Sequence, residues 1–321
     1  MLGRPQTEPA GAATLPARRW GMQSWMRNSL SELWRDRVGF ASVSLFALIV
    51  LVAAVGPLLL SASPTEPSLI DRLTPPAWQE GGSWAHPLGT DALGRDMLSR
   101  LVYSARASLI VGAAVVIIAG TAGIFAGLMA GYRGGWLGSA IMRLVDTQVA
   151  FPGLLLALLI LSILGASLKM VVIVLAINGW MVYARMTYSI VLSLKEAPYV
   201  QAAETIGCPP RRIVWRYLLP NLSSPLLTLA TLEFARIVLA EASLSYLGLG
   251  IQPPGASWGL MVAEGQEYLT VAWWAITFPG LAIALTVLTL NLMASWLRVI
   301  TDPQQREKRF VGAASTGGGA A

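Results

Sequence analysis

Glu233, Arg236 and Glu241 lie inside an otherwise apolar stretch, at spacings that put them on one helical face with Ile237 and Ala240. Ionisable groups held in such surroundings line a wet path, pair with one another or relay protons. Asp146, Asn178 and Asn291 are isolated polar residues in three other apolar stretches, suited to the same lining or to hydrogen bonds between helices, whereas Arg185 lies near enough to the end of its stretch to reach the interface. A second polar group, Asp91, Arg95, Asp96 and Arg100, has spacings that suit an N-cap and ion pairs on a helix, or contact with another protein. Covalent chemistry has little support. Ser243 and Ser245 have no nearby base, and His86 is the one histidine. With Cys208 as the one cysteine, neither a metal cluster nor a disulfide framework is expected. No G-x-x-x-x-G-K-[ST] string occurs, so no nucleotide is cradled in the P-loop manner; no resident cofactor and no catalytic residue are expected.

The elements that must position these residues are set by composition. Of 321 residues, 55% are apolar and 12% charged, about half the charged fraction of a soluble domain. Apolar runs of about 20 residues cover 40–60, 108–130, 145–164, 170–194, 225–249 and 271–297. Six membrane-crossing helices are predicted, because lipid offers the backbone no other hydrogen-bond partner. The first run is too long, and too far along the chain, for a signal peptide despite Ser61-Ala62-Ser63. Lys and Arg number six before the first span, two between the second and third, four between Lys195 and Arg216, and four from Arg298 onward. The opposite loops hold Arg72, Arg95, Arg100, Arg106 and Lys169. This bias places both termini in the cytoplasm and accounts for the net charge of +6 without nucleic acid.

The expected organisation is a cytoplasmic tail over 1–38, a transmembrane domain over 39–300 and a polar tail over 301–321. Within the first tail Trp25, Met26, Leu30, Leu33 and Trp34 recur at helical spacing, as in a helix lying among lipid headgroups. In the second span Gly123, Gly127 and Gly131 fall four apart, a face that admits a close neighbour.

A cytoplasmic loop over 195–222 reads LKEAPYVQAAETIGCPPRRIVWRYLLPN and is too long for a simple connection. Pro198 suits the first turn of a helix, Ala202 and Ala203 its interior and Gly207 its left-handed stop. After Pro209 and Pro210, Ile213, Val214, Tyr217 and Leu218 form the apolar face of a second helix that is expected to end at Pro220.

QAAETIG, nine residues and YLLP resemble the EAA loop of ABC importer permeases, with Gln201 in place of its first Glu and Tyr217 in place of its Ile. PLGTDALGRDMLSRLVYSARASL from Pro87, MRLVDTQVAFPGLLLAL from Met142 and EASLSYLGLGIQPPGASWG from Glu241 are similar to the C-type permease of dipeptide and oligopeptide importers, so that the likeness runs over 40–303. PPAWQEGGS and WWAITFPGLAI favour the dipeptide branch, although Ser104 stands where many relatives have Gly.

The resemblance implies an all-α, six-span, type I importer (MetI-like) fold in the bacterial cytoplasmic membrane. It further implies pairing with a second homologous permease, two ATPase subunits that hold the ATP and Mg, and an extracytoplasmic peptide-binding protein. Tyr199, Gln201, Ala202, Ala203, Glu204, Gly207, Arg211, Leu219 and Pro220 would then couple to the ATPases. Asp91, Arg95, Asp96 and Arg100 would meet the binding protein; Asp146, Asn178, Glu233, Arg236, Glu241 and Asn291 would line the path. Nickel chelates, glutathione or haem are alternative cargoes, and an ion-coupled carrier using Glu233 or Glu241 is the alternative mechanism.

Overall fold

A computed structural model describes residues 36–60 and 63–301. The expected headgroup helix around Trp25 to Trp34 and the tail beyond Thr301 lie outside the described residues. The architecture is all-α. Its helices are α1 (Arg37–Leu59), α2 (Met97–Arg133), α3 (Gly135–Val149), α4 (Gly153–Leu164), α5 (Leu168–Lys195), α6 (Pro198–Thr205), α7 (Pro210–Ile213), α8 (Leu219–Tyr246), α9 (Trp258–Gly265) and α10 (Trp274–Thr301). Among the described residues five helical runs are long and apolar enough to cross a membrane, and α3 with α4 can form a sixth, bent crossing.

That bend corrects the third predicted span. Residues 145–164 are not one rod: α3 and α4 meet at 86°. Pro152 has no N–H to continue the ladder and disfavours helical dihedrals at Phe151, so the chain breaks over 150–152 and restarts at Gly153. The break is tied down from α5. Trp180 Nε1 donates to Gln148 Oε1 at 2.8 Å, and Gln148 Nε2 donates to the Ile177 carbonyl.

The fifth span is corrected in the opposite sense. It does not begin at Pro225, and the loop's second helix does not stop at Pro220. One run from Pro210 to Tyr246 passes through a π-helical turn, Val214–Leu218, that joins α7 to α8. Pro220 falls in the first turn of α8, directly after the π segment, and has no N–H to continue the ladder. The extra residue per turn in the π segment accommodates the junction.

The glycine seam of α2 is a close backbone contact within the bundle. A methyl group on Gly123 would lie 2.2 Å from the Trp180 carbonyl oxygen, and one on Gly127 would lie 2.5 Å from that of Ala184. On Gly131 it would meet Val191 at 2.8 Å. Helices α2 and α5 therefore touch backbone to backbone, burying Val115, Ala119, Tyr183 and Val191 between them. Gly123→Ala forces the two helices apart and should cost about 1–3 kcal/mol. A melting temperature equal to wild type in detergent would contradict this.

On the outer side, Met97, Trp258, Met261, Trp274 and Ala275 form a second cluster. Both indoles are anchored: Trp258 Nε1 donates to the Leu101 carbonyl at 3.0 Å and Trp274 Nε1 to that of Thr90 at 3.0 Å. These bonds fasten α9 to the first turns of α2 and α10 to the loop that leads into it.

Candidate coupling and translocation sites

Helix α6 begins with Pro198 at its first turn and ends in a complete Schellman motif. Gly207 N–H donates to the Glu204 carbonyl at 3.0 Å, and Cys208 N–H to that of Ala203 at 3.0 Å. Gly207 has φ +76°, with nothing within 4 Å of the position a side chain would occupy. Its glycine is needed for backbone handedness rather than for space. Val200 and Ala203 are buried, and Val200 shares a core with Ile213, Leu218 and Leu222. The outward face carries Tyr199, Gln201, Ala202 and Glu204, with Ile206 just beyond. Of the residues expected to couple, Ala203 is therefore corrected to an inward, packing position. Arg211 and Pro220 are exposed and Leu219 half-buried. The root of the loop is pinned by Lys195, whose Nζ donates to the Tyr132 carbonyl at 3.1 Å and sits 5.7 Å from the Tyr132 ring centre.

The polar residues expected along the path divide. Glu233 is buried and accepts two bonds from Arg236, from Nε at 2.9 Å and Nη2 at 2.6 Å. The Arg236 guanidinium is half-exposed and lies close to Gly179 of α5. Asn178 is buried; its Nδ2 donates to the Val174 carbonyl at 3.2 Å, while its Oδ1 has no partner and faces Gly153 at the bend. Asp146 pairs with Arg185 on the exposed side of α3. These residues surround the α3–α4 break.

Glu241 does not join them. It is fully buried, accepting from Ser108 Oγ of α2 at 2.9 Å and Ser245 Oγ at 2.7 Å. Ser245 Oγ in turn accepts from the Ile251 amide at 3.1 Å. Glu241 is thus a knot joining α2, α8 and the outer loop, which corrects the expectation that it lines a path. Asn291 is exposed and donates to the Val287 carbonyl of its own helix, between the exposed Leu288 and Leu292.

Asp91, Asp96 and Arg100 are also buried, so in this conformation they offer no surface to a binding protein. They form a clamp. Arg95 donates from Nε to Asp91 Oδ2 at 2.7 Å and from Nη2 to Glu264 Oε2 at 3.0 Å. Arg100 Nη1 contacts both Asp91 and Glu264, the latter at 2.8 Å. Asp96 caps α2 by accepting from the Ser99 amide at 2.8 Å, and its other oxygen lies 3.1 Å from His86 Nδ1. Sequence reasoning missed Glu264 and Gln148, because their partners lie far away along the chain. Two guanidiniums beside Asp91, with Asp96 committed to the N-cap of α2, were the available signal for Glu264.

The profile of the family described as "Binding-protein-dependent transport system inner membrane component" matches residues 123–307, from the glycine seam through α10. The chain belongs to that family. This inner membrane component is 41% identical over 279 residues to the di/tripeptide transport system permease protein DppC of Pseudomonas aeruginosa, covering 86% of this chain and 92% of that protein. It is 40% identical over 282 residues to the dipeptide transport system permease protein DppC of Escherichia coli K12, with 87% and 94% covered. To the protein of that name from Alkalihalophilus pseudofirmus it is 35% identical over 303 residues, with 94% and 98% covered. Family membership and the apolar helices place the component in the bacterial cytoplasmic membrane as a multi-pass protein.

Proposed function

We propose that this inner membrane component is the permease through which dipeptides and other short peptides enter the cell, driven by ATP hydrolysed on other subunits. The chain itself binds neither ATP nor Mg and catalyses no covalent step. It pairs with a second, homologous permease. An extracytoplasmic peptide-binding protein delivers cargo, and two ATPase subunits seat the outward face of α6. The observation that carries the coupling is α6 itself: a short helix held by Val200 and Ala203 on one side and stopped at Gly207, presenting Tyr199, Gln201, Ala202 and Glu204 outward at the foot of the run that leads to Arg236. The names of the relatives support the peptide cargo. The polar lining is assigned to Asn178, Glu233, Arg236 and the Asp146–Arg185 pair around the α3–α4 break.

Reconstitution of the permease pair, ATPases and binding protein in vesicles tests the reading. Labelled dipeptide should accumulate only with ATP, and should still accumulate when the proton gradient is collapsed. Loss of uptake on collapse at constant ATP would favour an ion-coupled carrier. Uptake of a nickel chelate, glutathione or haem in place of dipeptide would overturn the cargo.

A further inference from the structure

A cavity of about 370 Å³ opens on the outer side between the start of α2 and α9, large enough for a small molecule of several heavy atoms. Its walls carry two guanidiniums, Arg95 and Arg100, and three carboxylates, Asp91, Glu264 and Glu267. Four of these five charges neutralise one another within the clamp. Glu267 is left over. It is exposed and forms no ion pair among the described residues. A second unmet valence is buried: Arg100 is 1% exposed, yet its Nε has no hydrogen-bond acceptor. The remaining wall is apolar, supplied by Leu93, Met97, Met261 and Ala275.

A ligand that completes this cavity brings a cation for Glu267, an acceptor for the side of Arg100, and a small apolar body for the methionines. The amino-terminal end of a peptide has all three in sequence: an ammonium, a first side chain and a first carbonyl oxygen. We infer that this outer cavity is a receiving site for the free amino terminus of a short peptide, distinct from the polar residues at the α3–α4 break. The inference rests on the peptide reading above and adds to it a selectivity imposed by this chain, before the path is reached. The clamp supplies rigidity, since charges that already satisfy one another cannot collapse onto the cargo. Glu267 supplies the preference for an ammonium.

The test uses the assembled permease–ATPase complex without binding protein, titrated by calorimetry with alanyl-alanine, its N-acetyl derivative and its carboxyl amide. Alanyl-alanine should bind, amidation should leave affinity nearly unchanged, and acetylation should weaken it by about tenfold. Glu267→Gln should weaken alanyl-alanine by a similar factor and abolish the difference made by acetylation. Ala263→Trp, which fills the cavity without removing a charge, should weaken all three ligands. Equal binding of the acetylated and free peptides, or binding indifferent to both substitutions, overturns the site. So does a separate titration with the binding protein in which Glu267→Gln loosens that protein while leaving alanyl-alanine unchanged, which would mean that the ammonium is a lysine of that partner. In each of these cases continued ATP-driven dipeptide uptake leaves the transport reading standing; absence of such uptake by the wild-type system removes that reading instead.

Discussion

A transporter carrying Gly207→Pro should hydrolyse ATP and import little. Proline fixes φ near −65°, whereas this position requires +76°, and it removes the N–H that closes α6 onto the Glu204 carbonyl. Losing both costs about 3 kcal/mol or more locally, while the spans, which do not depend on this turn, remain inserted. Uptake in vesicles should fall at least about tenfold, the factor that 1.4 kcal/mol of lost coupling would produce, with ATPase activity retained. Gly207→Ala should be milder, since it meets no neighbour and suffers only the left-handed strain of about 1 kcal/mol. Two further substitutions separate docking from packing. Ala202→Arg alters the outward face and should uncouple an intact subunit, whereas Ala203→Arg drives a charge into the bundle and should reduce the amount of folded protein. Normal peptide uptake by the Gly207→Pro variant would sink the coupling role.

Asp91→Ala should produce the largest loss of stability. It removes one carboxylate from the clamp and leaves Arg100, 1% exposed, and Arg95, nearly buried, sharing Glu264 alone. Breaking a buried pair from one side typically costs about 3–5 kcal/mol. The Asp91 side chain also accepts from the Leu93 and Arg95 amides at 2.8 and 3.0 Å, so the turn entering α2 loses its internal scaffold as well. The expected outcome is a subunit that aggregates on mild heating in detergent size-exclusion chromatography, at temperatures where the parent elutes as one species. Asp91→Asn should retain part of the turn, because its carbonyl oxygen still accepts amide bonds, and should fall between the two. A monodisperse Asp91→Ala protein with unchanged melting would refute the clamp.

Hydropathy made most of the crossings legible, since runs of about 20 apolar residues can satisfy lipid in one way only. The spacing of Gly123, Gly127 and Gly131 likewise announced a close helix neighbour. The 86° turn after Ala150 was less visible: Pro152 advertises a break, but its angle depends on how Gln148 is held by Ile177 and Trp180 across the bundle. For α6, the left-handed stop was plain in Gly207. Which alanine faces outward was not, because eight residues with apolar and small side chains on several sides define no single stripe. Glu241 and Glu233 looked equivalent in sequence, yet Glu233 takes Arg236 as its partner, whereas Glu241 accepts from Ser245 on its own helix and from Ser108, far along the chain. The same distance concealed Glu264 from Asp91 and Arg100.

That separation also bears on how the protein is made. Arg95 waits for a partner 169 residues downstream. While the chain is being synthesised from its amino terminus, α2 must be delivered to the membrane with both guanidiniums relying on Asp91, since Asp96 is committed to capping the helix and facing His86. Loop closure over so long an interval is slow and becomes favourable only once the intervening helices are in place. The clamp is therefore a late event in biogenesis. A chain terminated before Trp258 can thread its earlier crossings yet leaves Arg95 and Arg100 sharing Asp91 alone, and that half-built clamp distinguishes an unfinished subunit from a complete one.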